Sequence, residues 1–322
     1  MFVVRADSAN DLFVSACEAV LADGRQASPR GMATVEVLGA HLCLTEPRRR
    51  LVDLPPVRVL NPAFAVAEAV WILSGSDHAW IYTYNQRLAA FADHGRLLGA
   101  YGPRLRCWRT STGRVVDQLD HVRRLLATEP DSRRAVIQLF DPGRDHPTHR
   151  DVPCTLNYRF YLRDRRLQMH TTMRSQDAWL GLCYDIFTTT LIHELMAGWL
   201  EVEVGEYHHH IDSLHLYTDD VAEARRLPAR PPSSFVMPPL TVPWSEFDAL
   251  LAQVIDGGEL ASVGWAEFAT LMSSYRLWKG SDRTGARRTA RQRPGALTDT
   301  LLRWYDHLEG RAASSPPAVE GR

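Results

Sequence analysis

Residues 153–220 read PCTLNYRFYLRDRRLQMHTTMRSQDAWLGLCYDIFTTTLIHELMAGWLEVEVGEYHHHIDSLHLYTDD. Two largely apolar runs, Leu156–Leu162 and Leu167–Met173, flank a short polar turn, which predicts a β-hairpin. The apolar run Asp185–Leu200 predicts a long buried helix, and Glu201–Tyr217 predicts a return to strand. The stretch therefore predicts paired strands followed by a helix that is buried on most of its surface.

Outward from this stretch, apolar spacing predicts further helices and strands. The helices are predicted over Ser8–Ala22 with Ser8 as N-cap, over Pro62–Ser74 and over Asp117–Ala127; the strands are predicted as a pair around Gly39 within Met32–Leu44 and as a buried strand over Arg134–Phe140. Strands dominate the middle of the chain, without regular alternation of strand and helix. The pattern is typical of an α+β fold in which helices pack on one side of a mixed sheet.

The end of the chain has a weaker pattern. The basic run Arg283–Arg293 is expected to be a loop, and Leu301–Leu308 a short helix. We expect one catalytic domain over residues 1–310, followed by a disordered Pro/Ser/Ala-rich tail over residues 311–322.

Composition excludes several classes of protein. The chain has 322 residues, 45% of them hydrophobic and 23% charged, and a formal net charge of −1, so its overall charge does not attract it to nucleic acid or to a membrane. The five cysteines are scattered, which argues against a disulfide framework or a zinc knuckle. The chain shows no signal peptide and no apolar run long enough to cross a membrane, so we expect a cytoplasmic location.

Cys154 follows a proline at the start of the stretch and is the candidate nucleophile. A thiolate is a strong soft nucleophile, and nearby arginines would favour its formation. The alternative is a buried structural cysteine, an interpretation that we keep for Cys17, Cys43, Cys107 and Cys183.

Arginines are the candidate anion ligands, because the chain has only one lysine, Lys279. Guanidinium forks together with a serine hydroxyl suit a phosphate dianion. The alternative for any one of them is a solvated surface charge. The candidates are Arg30, Arg133, Arg134, Arg174 and Ser175.

Asp185 ends the run LGLCYD and is a candidate for reading a base, a role that rests on the family resemblance given below. A neutral carboxylic acid can donate to N3 of cytosine while it accepts from the 4-amino group, whereas an asparagine amide fits uracil. An ionised carboxylate that faces a protonated cytosine ring would give the same selectivity. The structural alternative is that Asp185 caps the helix that begins there.

Two further features carry chemistry in the sequence. Glu68 is a single acid inside an apolar helix, which is costly unless it has a partner or a function; the alternative is a salt-bridged helix acid. His208 and His210 could share one face of a strand, but no third ligand is evident, so no metal site is expected.

Together these residues closely resemble the catalytic half of the thymidylate synthase family, specifically over Pro153–Tyr217 and more loosely over residues 8–235. The resemblance implies that fold, 5,10-methylenetetrahydrofolate as cofactor and an obligate homodimer. Its implied roles are nucleophile for Cys154, organiser of water and protons for Glu68, neighbour of the nucleophile for Tyr101, sugar-hydroxyl binding for His215 and Tyr217, folate-ring contact for Asp177, and phosphate binding for Arg30, Arg174, Ser175 and the partner's Arg133 and Arg134.

Departures from the family pattern suggest a different product. Asp185 stands where thymidylate-forming members carry asparagine, as in the cytidylate hydroxymethylase branch. The stretch at residues 85–91 lacks the usual tryptophans, Thr155 and Arg159 replace a histidine and a glutamine, and the usual C-terminal closing sequence is missing. We therefore expect 5-hydroxymethylation of CMP or dCMP by water attack. The alternatives are a thymidylate synthase acting on dUMP, or an inactive relative that binds nucleotide or, through residues 283–293, RNA.

Overall fold

The computed structural model describes residues 2–146 and 150–314, with side chains described as far as Gly310. The strands are β1 (Phe2–Ala6), β2 (Arg25–Ala27), β3 (Thr34–Leu44), β4 (Trp108–Arg109), β5 (Val115–Val116), β6 (Val136–Gln138), β7 (Thr155–Arg163), β8 (Arg166–Met173), β9 (Gln176–Asp177) and β10 (Glu203–Tyr217). The helices are α1 (Ala9–Asp23), α2 (Pro62–Leu73), α3 (Tyr101–Arg106), α4 (Gln118–Thr128), α5 (Pro142–Asp145), α6 (Leu182–Trp199), α7 (Val221–Ala224), α8 (Trp244–Asp256), α9 (Val263–Lys279), α10 (Arg283–Arg291) and α11 (Ala296–Ser314).

Eight strands form one mixed sheet in the order β1-β3-β10-β8-β7-β6, with β2 beside β3 and β9 beside β10. The pairs β1–β3, β10–β8 and β10–β9 are parallel, and the other pairs are antiparallel. The short strands β4 and β5 pair separately. The strand β10 lies at the centre and touches three other strands, and the predicted α+β fold with a mixed sheet is confirmed.

The two faces of the sheet have different surroundings. Alternate residues of β10 point to opposite faces, so Tyr207, His209 and Ile211 are buried while His208 and His210 are half-buried on the other side. The helices α1 and α6 pack against β3, β8 and β10, and α2 and α9 pack behind α6. The core therefore lies between the sheet and these helices.

Most of the elements predicted from the sequence are present. Ser8 caps α1 by accepting a hydrogen bond from the backbone N–H of Asn10. The predicted β7–β8 hairpin is confirmed, with Asp164 and Arg165 at positive φ in its turn. The predicted strand pair around Gly39 was wrong, because residues 34–44 form a single strand that passes through Gly39 at φ +76°.

The C-terminal region is more helical than predicted. Residues 283–291 form α10 and not a loop, with Asp282 accepting the N–H of Gly285 at the helix start. The predicted short helix lies within α11, which continues to Ser314 and so enters the segment expected to be disordered; residues 315–322 lie outside the described part. Arg287 stabilises this region by lying over the Trp278 ring and pairing with Asp306. A pattern of small and basic residues does not reveal such arginine–aromatic packing.

Within the described residues, the structure contains no helix that is both long and apolar enough to cross a membrane.

A buried ion pair fixes α6 to the segment that follows β3. Arg50 is fully buried and donates to Glu194, which is 3% exposed and also accepts the backbone N–H of Leu240 at 3.0 Å. Each charge would be costly to bury alone, so removing one partner leaves the other uncompensated.

We predict that Glu194→Ala lowers the free energy of unfolding by about 3–5 kcal/mol, because Arg50 then remains buried without a counter-charge. The matched control is Glu223→Ala, which breaks the exposed Glu223–Arg226 pair and costs about 0–1 kcal/mol. Chemical denaturation of both variants measures the difference. Equal losses in the two variants would contradict the assigned role of the buried pair.

Candidate active site

Arg174 holds the loop that carries Cys154. Its backbone N–H donates to the carbonyl of Cys154 at 2.9 Å, its Nε to the carbonyl of Pro153 at 2.9 Å, and its Nη2 to the carbonyl of Val152 at 3.0 Å. Three donors from one residue thus fix the backbone on both sides of the thiol. The same guanidinium places a positive charge beside the sulfur.

The segment that leads into α3 approaches this loop from the other side. The Tyr101 hydroxyl accepts the backbone N–H of Thr155 at 3.2 Å, and Asp151 Oδ2 accepts the N–H of Gly99 at 3.0 Å. A Cβ atom at position 99 would lie 2.2 Å from the carbonyl oxygen of Asp151, so only glycine permits this approach. The structure therefore places the Tyr101 hydroxyl at the residue after Cys154, and its role stays a prediction.

The charges around Cys154 oppose one another. Burial raises the pKa of the Cys154 thiol, as do the carboxylates of Asp185 and Asp151, while Arg174 and Arg30 lower it. Because burial has the largest effect, the net pKa is raised and the thiol is mainly protonated at neutral pH. A nucleophilic role for Cys154 requires that another group accept this proton.

The charge of Asp185 acts on both Cys154 and Glu68. Burial raises the pKa of Asp185 to about 6, although a hydrogen bond from Gln176 lowers it, and Asp177 adds to the increase. Burial also raises the pKa of Glu68 to about 8, with a further increase from the charge of Asp185. Glu68 and Asp185 therefore hold and release protons near neutral pH, in the range that acid–base catalysis needs.

The interpretation of Asp185 as a helix cap was wrong. The helix α6 begins at Leu182 with Gly181 at the cap position, so Asp185 lies in the first turn and donates its backbone N–H to the carbonyl of Gly181 at 3.0 Å. Its carboxyl group makes no capping bond and instead accepts from Gln176 Nε2 at 2.8 Å. The side chain is thus available for a ligand.

The sequence Asp177–Leu180 turns tightly before α6. Asp177 Oδ1 accepts the backbone N–H groups of Trp179 at 2.8 Å and Leu180 at 3.0 Å. Asp177 pairs with His215 across β9 and β10, and the His215 ring meets the Tyr217 ring edge-on at 5.4 Å. The pKa of Tyr217 is raised by burial and by the charges of Asp177 and Cys154, so these groups share one site.

Not all predicted phosphate ligands lie together in one chain. Arg30 is exposed in a left-handed turn, and its charge acts on both Cys154 and Tyr217. Arg133 and Arg134 are exposed before β6, where Arg134 binds Glu129 at 2.6 Å, and within the described residues no hydrogen bond or ion pair links either arginine to Cys154. The half-buried Ser175 follows Arg174, and its assignment stays a prediction.

Sequence reasoning missed two residues of this region. Gln176 is 2% exposed and bonds Asp185; its position between Ser175 and Asp177 was the available signal. Arg58 is buried, donates to Cys183 Sγ at 3.3 Å and lies over the Trp179 ring. Nothing in the flanking valines distinguishes Arg58 from a surface arginine.

The histidines form a separate cluster on the other face of the sheet. His208 bonds His41 at 3.1 Å, and His210 bonds His170 at 3.1 Å, with the rings stacked across the strands. The sequence suggested no third ligand, but the structure places ligand atoms of Cys43, Glu206 and His208 within 4.8 Å of one another. Arg5 already binds the Glu206 carboxylate, and this guanidinium disfavours a cation there.

The fold and the residues around Cys154 and Asp185 define a class of protein. The sequence profile described as Thymidylate synthase matches residues 11–254, and the chain belongs to that family. A deoxyuridylate hydroxymethyltransferase of Bacillus phage SP01 is 36% identical over 234 residues, which are 68% of this chain and 60% of the relative. The chain thus spans about 60% of the length of that curated relative.

We predict that the free energy of unfolding of the wild type falls as pH rises, and that Glu68→Gln does not show this fall. A carboxyl with a folded pKa of about 8 binds its proton more tightly than in the unfolded chain, so folding becomes less favourable between about pH 5 and pH 8. The difference between variant and wild type should grow to at most a few kcal/mol by pH 9.

Denaturant unfolding at several pH values checks this expectation, with the exposed Glu223→Gln variant as control. Parallel pH profiles for wild type and Glu68→Gln would show that Glu68 ionises normally.

Proposed function

We propose that this protein transfers a one-carbon unit from 5,10-methylenetetrahydrofolate to C5 of CMP or dCMP and releases the 5-hydroxymethyl nucleotide. The observation that carries the proposal is the half-buried Asp185 carboxyl group, which is bonded by Gln176 and whose charge acts on Cys154 and Glu68. The phage relative supports a hydroxymethyl product, although that relative is named for a uracil nucleotide, deoxyuridylate.

The reaction begins with the thiol of Cys154. Arg174 and Arg30 favour loss of the thiol proton, and the Glu68–Asp185 pair is the acid–base group in electrostatic reach. The sulfur then adds to C6 of the pyrimidine, which turns C5 into a nucleophilic enamine carbon. The backbone bonds from Arg174 hold the sulfur in place for this attack.

The residues around Asp177 fit a folate ring. Asp177 Oδ1 is occupied by two backbone N–H groups, which leaves Oδ2 for the N–H donors of a pterin. Folate supplies a methylene group at the oxidation level of formaldehyde, which C5 takes up. The new C5–methylene bond would form first; loss of the C5 hydrogen as a proton would then expel tetrahydrofolate as the bond between its nitrogen and the methylene carbon breaks. Water would add to the exocyclic methylene carbon, and the C6–sulfur bond would break to return the Cys154 thiolate.

The choice between water and hydride depends on how well the site excludes solvent. Residues 86–91 form a 3₁₀ turn without tryptophan, and Phe91 in this turn is 44% exposed. An open turn at this position supports attack by water, which gives the hydroxymethyl group and not a methyl group.

The arrangement also supports a homodimer with a shared site. Arg133 and Arg134 are exposed before β6, and we assign them to the partner's phosphate site. The rings of His41, His170 and His208 are half-buried on one face of the sheet in the single chain, and we propose that this face meets a second copy.

The experiment that tests this function incubates the purified protein with 5,10-methylenetetrahydrofolate and one of four nucleotides: CMP, dCMP, UMP or dUMP. Tritium release from C5 and mass spectrometry of the products should show a hydroxymethylated cytidine nucleotide, which Cys154→Ala does not form. A 5-methyl uridylate and dihydrofolate would instead identify a thymidylate synthase. Binding without turnover of any nucleotide would favour an inactive relative.

We predict that Asp185→Asn shifts the ratio of kcat/KM toward uridylates by roughly 10–100-fold, because the amide donates to O4 and accepts from N3–H of uracil. Steady-state kinetics with the four nucleotides measure the ratio. The control is Asp219→Asn, an exposed aspartate whose replacement should leave it unchanged. An unchanged ratio for Asp185→Asn would remove Asp185 from base recognition.

A further inference from the structure

Gln176 is a buried glutamine beside Asp185 that the reaction described above does not use. It is 2% exposed and lies in β9, opposite Leu214 of β10. Its Nε2 donates to Asp185 Oδ2 at 2.8 Å and to the backbone carbonyl of Asp177 at 3.3 Å. A Cβ atom at position 181 would lie 2.9 Å from this Nε2, so Gly181 makes room for the amide.

The surroundings fix the orientation of this amide. Both atoms that Nε2 faces are oxygens, and the backbone carbonyl of Asp177 can only accept. A flipped amide would set its oxygen against that carbonyl. Gln176 Oε1 is thus the amide atom that neither of these contacts uses, and it is buried without a hydrogen-bond partner in residues 2–146 and 150–314. A buried acceptor of this kind calls for a donor from a ligand.

Asp185 alone does not choose between the two bases. A neutral carboxyl group pairs with cytosine by donating to N3 and accepting from the 4-amino group. It pairs equally with uracil by donating to O4 and accepting from N3–H. Selection requires that one oxygen of Asp185 be kept as the acceptor. The N–H of Gln176 does this for Oδ2, which leaves Oδ1 to carry the proton.

We propose that Gln176 makes this site select cytosine over uracil by holding Asp185 Oδ2 as an acceptor and by accepting one hydrogen of the 4-amino group at Oε1. The inference rests on the proposed function and names its base. The 4-amino group has two hydrogens, one for Oδ2 and one for Oε1. Uracil places O4 at the same position, where its lone pairs face those of both acceptors.

The test compares Gln176→Met, which has similar size but no polar group, with Gln253→Met, an exposed glutamine of α8. We expect Gln176→Met to lower the ratio of kcat/KM for cytidylates to kcat/KM for uridylates by roughly 10–100-fold. Most of this change should come from a lower kcat/KM for cytidylates. Gln253→Met should keep the wild-type ratio. Calorimetric binding of CMP and UMP gives the same comparison without turnover.

A second variant, Gln176→Glu, keeps an acceptor at Oε1 but loses the donor to Asp185. It should bind CMP with an affinity that falls as pH rises, because a second carboxylate then faces Asp185. If the wild type and Gln176→Met both prefer cytidylates, the inference about Gln176 is overturned and the proposed function stands. A wild type that turns over no cytidylate overturns the proposed function, and one that prefers uridylates overturns both.

Discussion

The pairing of β10 with both β8 and β9 is the constraint on which the site depends. Met173 at the end of β8 lies opposite both Thr155 of β7 and Ile211 of β10, and pairing resumes when Gln176 of β9 meets Leu214. Arg174 and Ser175 therefore lie in the break between two paired segments. This break points the backbone and guanidinium of Arg174 at the Cys154 loop while Asp177 stays beside His215.

Burial is the main physical influence on the reactive groups. It raises the pKa of Cys154, Glu68 and Asp185 alike, so each group favours its neutral form at a higher pH than in water. For a thiol this is unfavourable, and the arginines oppose it. For the two carboxyls it brings proton exchange into the neutral range, and their mutual charge couples the two titrations.

The sequence predicted the parts of the fold that depend on local patterns. The caps and the apolar periods of α1 and α2 are local features, as is the polar turn of the β7–β8 hairpin. The helix α10 was missed although Asp282 is a local start signal, because its arginines pack on the ring of Trp278 and on that of Tyr305, which is distant in the sequence. For the site, the motif residues around Cys154 were recognisable, whereas the role of Gln176 depends on a bond to a side chain nine residues away.

The central claim is that Cys154 adds to a cytidylate and that C5 then takes up the folate methylene. A 5-fluoro-CMP or 5-fluoro-dCMP substrate tests it directly. The fluorine at C5 cannot leave as a positive ion in the way that hydrogen does, so the reaction stops with the C6–sulfur and C5–methylene bonds both formed. Mass spectrometry of the digested protein should find nucleotide and folate together on the peptide that carries Cys154, and only with folate present. An adduct on another cysteine, or none with either fluorinated cytidylate, would contradict the account.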